Sequence, residues 1–291
     1  MQTKKETVAG AQILRKPEWL KIKLPKGFKT SHVVGLLNSH GLNTICSSGL
    51  CPNKGECWGR GTATFMIGGN ICTRNCKFCN VAGGKPSPLE EQELYDIANS
   101  VKELRLKHIV ITSVDRDDLP DYGAGHWCKI ITLIKQECPG VTMEVLIPDF
   151  RGRQDLIDKI IERRPEVISH NMETVRRLTP EVRSDATYDT SLEVIRQISE
   201  SGIRSKSGIM LGLGETEEEI VETMKDLRKA GCEVITIGQY LQPSRHHYPV
   251  REYIHPDKFE EYGKLGKEMG FRHVESGPMI RSSYHAEKHV L

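Results

Sequence analysis

Residues 207–238 read SGIMLGLGETEEEIVETMKDLRKAGCEVITIG, and this stretch contains one whole strand, a helix and a second strand. SGIMLG (207–212) is a short apolar run closed by glycine. In TEEE (216–219) the threonine hydroxyl and the last glutamate can satisfy each other's orphan backbone N–H groups, which marks a helix start. Ile220, Met224 and Leu227 then recur at helical spacing, and Gly231 supplies the residue type that ends such a helix. EVITIG (233–238) is the second strand. Two strands joined through a helix are too far apart in sequence to be a hairpin, so they lie parallel with a right-handed crossover.

The alternation extends outward on both sides. Upstream, TFMIG (64–68) reads as a strand, and Ser87, Pro88 and Glu90 set the cap and first turn of a helix with Leu94, Ile97, Ala98, Val101 and Leu104 on one face. HIVITS (108–113) is a second strand, followed by a helix over about 127–136 and the strand VTMEVLI (141–147). Leu156, Ile157, Ile160 and Ile161 mark the next helix, before the strand EVISHN (166–171). Asp189 is the expected cap of a helix carrying Leu192, Ile195 and Ile198 and closed by Gly202. A last helix over about 257–269 leads to FRHVES and the tail. Six strands, each followed by a helix or long loop, predict an α/β partial (β/α)6 TIM-like barrel. An open doubly wound sheet is the alternative, weakened because no G-x-G-x-x-G follows the first strand.

The boundaries implied are an N-terminal cysteine-rich extension over 1–60, the barrel over 61–270, and a C-terminal tail over 271–291. The extension wraps rather than folds alone, with Pro17, Pro25 and one short helix near 31–38. A chain of 291 residues with 37% hydrophobic residues and a mean hydropathy of −0.43 has the composition of a soluble globular protein. A net charge of +2 argues against bulk nucleic-acid binding. No apolar stretch approaches the ~18 residues of a membrane span, and MQTKKETVAG lacks the apolar region of a signal peptide. A cytoplasmic protein is expected, in which clustered cysteines signal metal or catalysis rather than disulfides. Lys54, Arg60, Arg74, Lys77 and Lys85 against Glu56 make the cysteine-rich region basic, either as a solvated face or as a rim for an anionic cofactor or acidic protein partner.

CTRNCKFC (72–79) places Cys72, Cys76 and Cys79 at C-x3-C-x2-C. Structural zinc sites close four ligands, commonly as two separated pairs, whereas three thiolates in one turn suit an iron-sulfur cubane with one iron left open. Upstream, CSSGLCPNKGEC (46–57) sets Cys46, Cys51 and Cys57 at C-x4-C-x5-C. These three cannot easily share the first centre and predict a second cluster, with a zinc site as the lesser alternative. One helix would point the three in divergent directions, so a Gly- and Pro-containing loop around metal is expected.

Polar residues gather where the strands end, the face on which parallel barrels do chemistry. Alternation on the third strand turns Glu144 into the barrel, to be paired by Lys206 or by a bound ammonium. Cys128, Cys138 and Cys232 read as packing thiols. His246 and His247 diverge as adjacent side chains and read as a basic loop rather than a metal pair, and Arg183 follows Pro180 where it could meet an anion.

The C-x3-C-x2-C motif with Phe78 before its last cysteine resembles the radical S-adenosylmethionine (SAM) superfamily, for which a partial barrel is the implied fold. Together with CSSGLCPNKGEC, TSVDRDDL (112–119), SHNMETV (169–175), SKSGIMLGLGE (205–215) and RSSYHA (281–286), it is similar to the lipoyl synthase family from about residue 40 to the tail. The resemblance implies two [4Fe-4S] clusters and SAM as cofactors. Cys72, Cys76 and Cys79 would hold the SAM-cleaving cluster, and Cys46, Cys51, Cys57 and Ser283 an auxiliary cluster that donates sulfur. Ser113, Asn171, Glu173 and Arg183 are implied SAM contacts.

The implied reaction inserts two sulfur atoms at C6 and C8 of an octanoyl group on a carrier-domain lysine, the carrier being a glycine-cleavage H protein or a 2-oxoacid dehydrogenase E2 type. A reducing electron donor and an iron-sulfur cluster carrier are further implied partners. The rivals are another radical SAM sulfur-inserting enzyme and a two-cluster electron carrier. The carrier reading is disfavoured because ferredoxin clusters take four cysteines each and need no βα units.

Overall fold

A computed structural model of the chain describes residues 14–21, 35, 37, 41–59 and 64–290. The apolar runs become parallel strands because both faces of each are covered, one by helices and one by the barrel interior. They are β1 (Thr64–Ile67), β2 (His108–Ser113), β3 (Thr142–Leu146), β4 (Val167–Ser169), β5 (Arg204–Leu211), β6 (Val234–Gln239) and β7 (His273–Gly277). The connecting helices are α1 (Gln92–Glu103), α2 (Ala124–Glu137), α3 (Gln154–Ile161), α4 (Tyr188–Glu200), α5 (Glu217–Lys229) and α6 (Pro256–Glu268). Strand order in the sheet is chain order, with Ile111 beside Val145 and Ile209 beside Ile237. A doubly wound sheet reverses direction at a switch point; this one never does, so it follows the barrel path.

The sheet has a seventh strand that the apolar pattern hides. HVESG contains one large apolar residue and is only partly buried, yet it pairs with β6 from Val234 opposite His273 to Gly238 opposite Gly277. Two helix starts also differ from expectation. α1 begins beyond Ser87, with Glu91 at its cap and no side-chain cap bond, because the preceding chain, with Pro86 and Pro88, runs extended from the short strand Ala82–Gly83. α4 is capped by the Thr187 hydroxyl, which accepts from the Thr190 amide, so Asp189 lies in the first turn and pairs with Arg176 at 2.7 Å. The capping box of Thr216 and Glu219 on α5 is formed as read.

Helix faces pack outside the sheet as their periodicity requires. Ile97, Ile130 and Ile157 from α1, α2 and α3 meet Phe65, Ile111 and Val145; Met224, Leu227 and Phe259 from α5 and α6 meet Ile209 and Ile237. Inside, Glu144 and Lys206 are fully buried and paired, with the ammonium 2.8 and 2.7 Å from the two carboxylate oxygens. The Ser169 hydroxyl donates to the same carboxylate at 2.9 Å. Lys206 is thus the partner of Glu144.

The segment around Cys46 is helical after all, but in two pieces. Cys46 lies in Ile45–Ser48 and Cys57 in Lys54–Gly59; between them Leu50 turns into the left-handed region and frees Cys51 from either helix. That break removes the divergence a single helix would impose. Of the helix expected near 31–38, only residues 35 and 37 are among those described; Arg60 and most of the extension lie outside them. Among the described residues no helix is long and apolar enough to cross a membrane.

Candidate functional site

β1 is followed by Gly68 and Gly69, whose positive φ angles turn the chain toward the cysteine loop. Their amides donate to the Glu93 carboxylate on α1 at 2.9 and 3.2 Å, which fixes the turn. Cys72 then sits on a two-residue strand that pairs with Ala82–Gly83, so the loop closes on itself. Arg74, between the first two cysteines, is buried and reaches Asp117 at 2.8 Å and Asp149 at 2.7 Å, binding the loop to the ends of β2 and β3. It is therefore no part of an exposed basic rim, while Lys77 and Lys85 are exposed.

From the far side, His247 donates through Nε2 to the Cys79 carbonyl at 3.0 Å and accepts at Nδ1 from the Ser244 hydroxyl at 2.8 Å. His246 is exposed. With both ring nitrogens engaged, His247 braces the loop.

The second cysteine set is tied to the same place. The Asn80 side chain donates to the Ser48 carbonyl at 2.8 Å, which joins the two cysteine segments, and Asn53 donates to the Met279 carbonyl at 2.6 Å, which joins the upstream one to the tail. The tail brings Ser283 to β1, where the Thr64 hydroxyl donates to its oxygen at 2.8 Å.

A cavity of about 370 Å³ opens among these segments. Cys72, Cys76 and Cys79 line it, and so do Cys46, Cys51 and Ser283. Cys57 is not on its wall and packs with Cys46 and Cys51 against the apolar core. Ser113, Asn171, Glu173 and Arg183 also line it. Cys128, Cys138 and Cys232 do not; each thiol lies against a backbone carbonyl of the βα framework.

Asn171 donates to Glu173 at 3.2 Å and accepts from the Ser282 hydroxyl at 3.0 Å. Glu173 has a φ of 69°, a conformation that costs a side-chain-bearing residue roughly 1–3 kcal/mol. It is held there by two backbone hydrogen bonds to β5, to Gly208 and from Met210. Burial raises its carboxyl pKa, while Arg183 and Asn171 pull it back down. Arg183 is buried and donates to the Ser191 hydroxyl at 2.8 Å and the Met172 carbonyl at 3.3 Å. With its oxygen accepting from Arg183, Ser191 gives its proton to His170 Nε2 at 3.0 Å, and His170 Nδ1 donates to the Ile147 carbonyl at 3.0 Å. His170 is therefore neutral, and burial with the nearby Arg183 cation pushes its pKa down to about 4.

The thiols are close enough to feel one another. Burial and the Asp115 carboxylate lift Cys72 to about 12; burial, with the neighbouring Cys76, lifts Cys79 to about 11; burial and Cys46 raise Cys51. Burial lifts Asp115 itself to about 6 against the pull of Arg74. Such thiols keep their protons until a metal displaces them. Among the described residues no three Cys, His, Asp or Glu side chains converge tightly enough for a single ion. A cubane binds each thiolate on a separate iron, and soft thiolates in threes are its donor set, so the residues fit it.

Residues 66–227 match the sequence profile of the Radical SAM superfamily. The chain is 65% identical over 277 residues to lipoyl synthase of Treponema denticola, covering 95% of this chain and 96% of that protein. It is 62% identical to lipoyl synthase of Porphyromonas gingivalis, over 96% and 100% of the two chains, and 59% identical to that of Flavobacterium psychrophilum, over 98% and 100%. Among solved structures, methylornithine synthase (PylB) superposes with a TM-score of 0.55 at 13% identity, over 85% of this chain and 76% of that one. HydG, a maturase of the [FeFe]-hydrogenase, gives 0.54 at 16% identity, over 77% and 58%. Both share the fold.

Proposed function

Because the chain belongs to the lipoyl synthase family of the radical SAM superfamily, we propose that its cavity is where an octanoyl chain lies between two iron-sulfur clusters. The family's reaction inserts two sulfur atoms, at C6 and C8 of a protein-bound octanoyl-lysine, and its cofactors are SAM and two [4Fe-4S] clusters. When bound, these groups supply a 5′-deoxyadenosyl radical, which can abstract hydrogen from an unactivated methylene, and the sulfur that replaces it.

The chain's own residues divide the work. Cys72, Cys76 and Cys79 would hold the SAM-cleaving cluster, on a loop kept rigid by Arg74 and His247. Cys46, Cys51, Cys57 and Ser283 would hold the auxiliary cluster. The hard serine oxygen is the poorest donor of the four and the one that can let go, and Thr64 already offers it a hydrogen bond. Glu173 carries the charge that the SAM ammonium needs and Arg183 the charge that its carboxylate needs; Asn171 and Ser113 line the same wall. Ile45, Leu146 and Met210 supply an apolar lining that keeps water from a carbon radical.

The substrate arrives on a lipoyl-carrier protein; we assign that carrier to the glycine-cleavage H protein or dehydrogenase E2 type, with a reductant and a cluster carrier as further partners. We place the enzyme in the cytoplasm, where its nine free cysteines would stay reduced. The extension, barrel and tail act as one unit in this reading, since each contributes to the cavity wall.

The observation that carries the reading is that Cys46 and Cys51, all three cysteines of the other set, and Ser283 share one cavity. Iron and sulfide analysis, with mass spectrometry of an octanoyl-lysine peptide after incubation with SAM and reductant, tests it. About eight irons per chain and a product carrying two sulfurs are expected; about four irons would sink the assignment.

A further inference from the structure

Among the described residues three arginines line the cavity, Arg74, Arg183 and Arg281. Arg74 has Asp117 and Asp149, and Arg183 has the Ser191 hydroxyl and the Met172 carbonyl. Arg281 lines the same cavity, yet among the described residues its side chain meets only the Ile280 carbonyl, at 2.6 Å, and no carboxylate. A guanidinium has five donors and is costly to desolvate without a counter-charge. Cys46 and Cys51 line the same cavity, and Ser283 follows Arg281 by two positions on the tail.

The place of Arg281 is fixed from three sides. Ser282 is held by Asn171 and Ser283 by Thr64, one on each of the next two positions. Behind them β6 carries Gly238, where a Cβ would stand 2.2 Å from the Ile280 carbonyl oxygen and 3.3 Å from Arg281 Nη1. The strand lacks a side chain where the tail must lie against it.

We propose that Arg281 is a positioning residue for the auxiliary cluster, a fixed cation on the cavity wall it shares with Cys46, Cys51 and Ser283, balancing the negative charge that three thiolates and a seryl oxygen bring there. This rests on the assignment of Cys46, Cys51, Cys57 and Ser283 to that cluster. A cation next to the irons favours their more negative charge state, so Arg281 holds the cluster's reduction potential up. Packing alone would not make the potential follow the charge, with lysine restoring what glutamine loses.

The test uses full-length protein lacking the first cluster through Cys72→Ala, Cys76→Ala and Cys79→Ala, so that a redox titration followed by electron paramagnetic resonance reads the auxiliary cluster alone. Arg281→Gln should shift its midpoint potential to more negative values, and Arg281→Lys, which keeps the charge, should restore most of it. If Arg281→Gln fails to assemble the cluster and Arg281→Lys succeeds, charge is again the requirement. An unchanged potential in a loaded Arg281→Gln, or equal failure of both variants to load, overturns the proposal. Failure of the underlying assignment looks different: the parent lacking only the first cluster would then hold no iron at all.

Discussion

Arg74 shows how much one side chain in a cysteine loop can carry. Its removal leaves the buried Asp149 without its cation and Asp117 with Arg151 alone, and Arg74→Ala should cost about 3–5 kcal/mol in urea unfolding at neutral pH. His170 makes a prediction with a sign. Its folded pKa of about 4 lies below the ordinary 6.5, so the neutral imidazole contributes fully above pH 6.5 and loses that contribution as pH falls toward 4. The loss should reach about 3 kcal/mol, and His170→Gln should flatten that part of the stability profile. Such residues differ in how far the sequence exposes them. Glu144 was legible because strand alternation turned it inward, and Lys206 because a buried acid needs a cation. Arg74, His170 and His247 were not, since their roles depend on partners 21 to 168 positions away that only the closed fold brings near.

At the scale of elements, periodicity found what is buried and missed what is merely paired. β7 escaped because hydrogen bonding to β6 makes it a strand, not a run of apolar side chains. The caps divided in the same way: Thr216 with Glu219 is a reciprocal pair written three residues apart, whereas the choice of Thr187 over Asp189 turned on where α4 meets the preceding loop. Thr216→Ala should cost about 1 kcal/mol, read as a lower unfolding midpoint with unchanged denaturant slope. Gly238→Ala should act on a different quantity. Its Cβ would push the tail from β6 and move Ser283, so lipoyl yield by mass spectrometry should fall on the order of a hundredfold while deoxyadenosine formation persists.

For the molecule as a whole, the two cysteine sets should be separable in function. Replacing Cys46, Cys51 and Cys57 by alanine should leave about four irons and a protein that still cleaves SAM but inserts no sulfur. Loss of SAM cleavage as well would mean that the two sites are not independent. Both motifs were readable as spacings, and their joint meaning came from the family resemblance; what spacing could not supply was the meeting of extension and tail over the barrel mouth, which rests on Asn53, Asn80 and Thr64.

Among the described residues the outermost strands, β1 and β7, share no ladder, and residues 279–283 cross between them. That crossing is fastened to Asn53, Thr64 and Asn171 by single contacts of about 1 kcal/mol each, less than the continuous ladder of a neighbouring pair of strands. A seam of this kind can unbutton and rebutton while the rest of the wall stays shut. A bulky protein with an acyl arm could then dock, deliver and withdraw through the side of the molecule, and amide exchange at 279–283 should outpace that of β5.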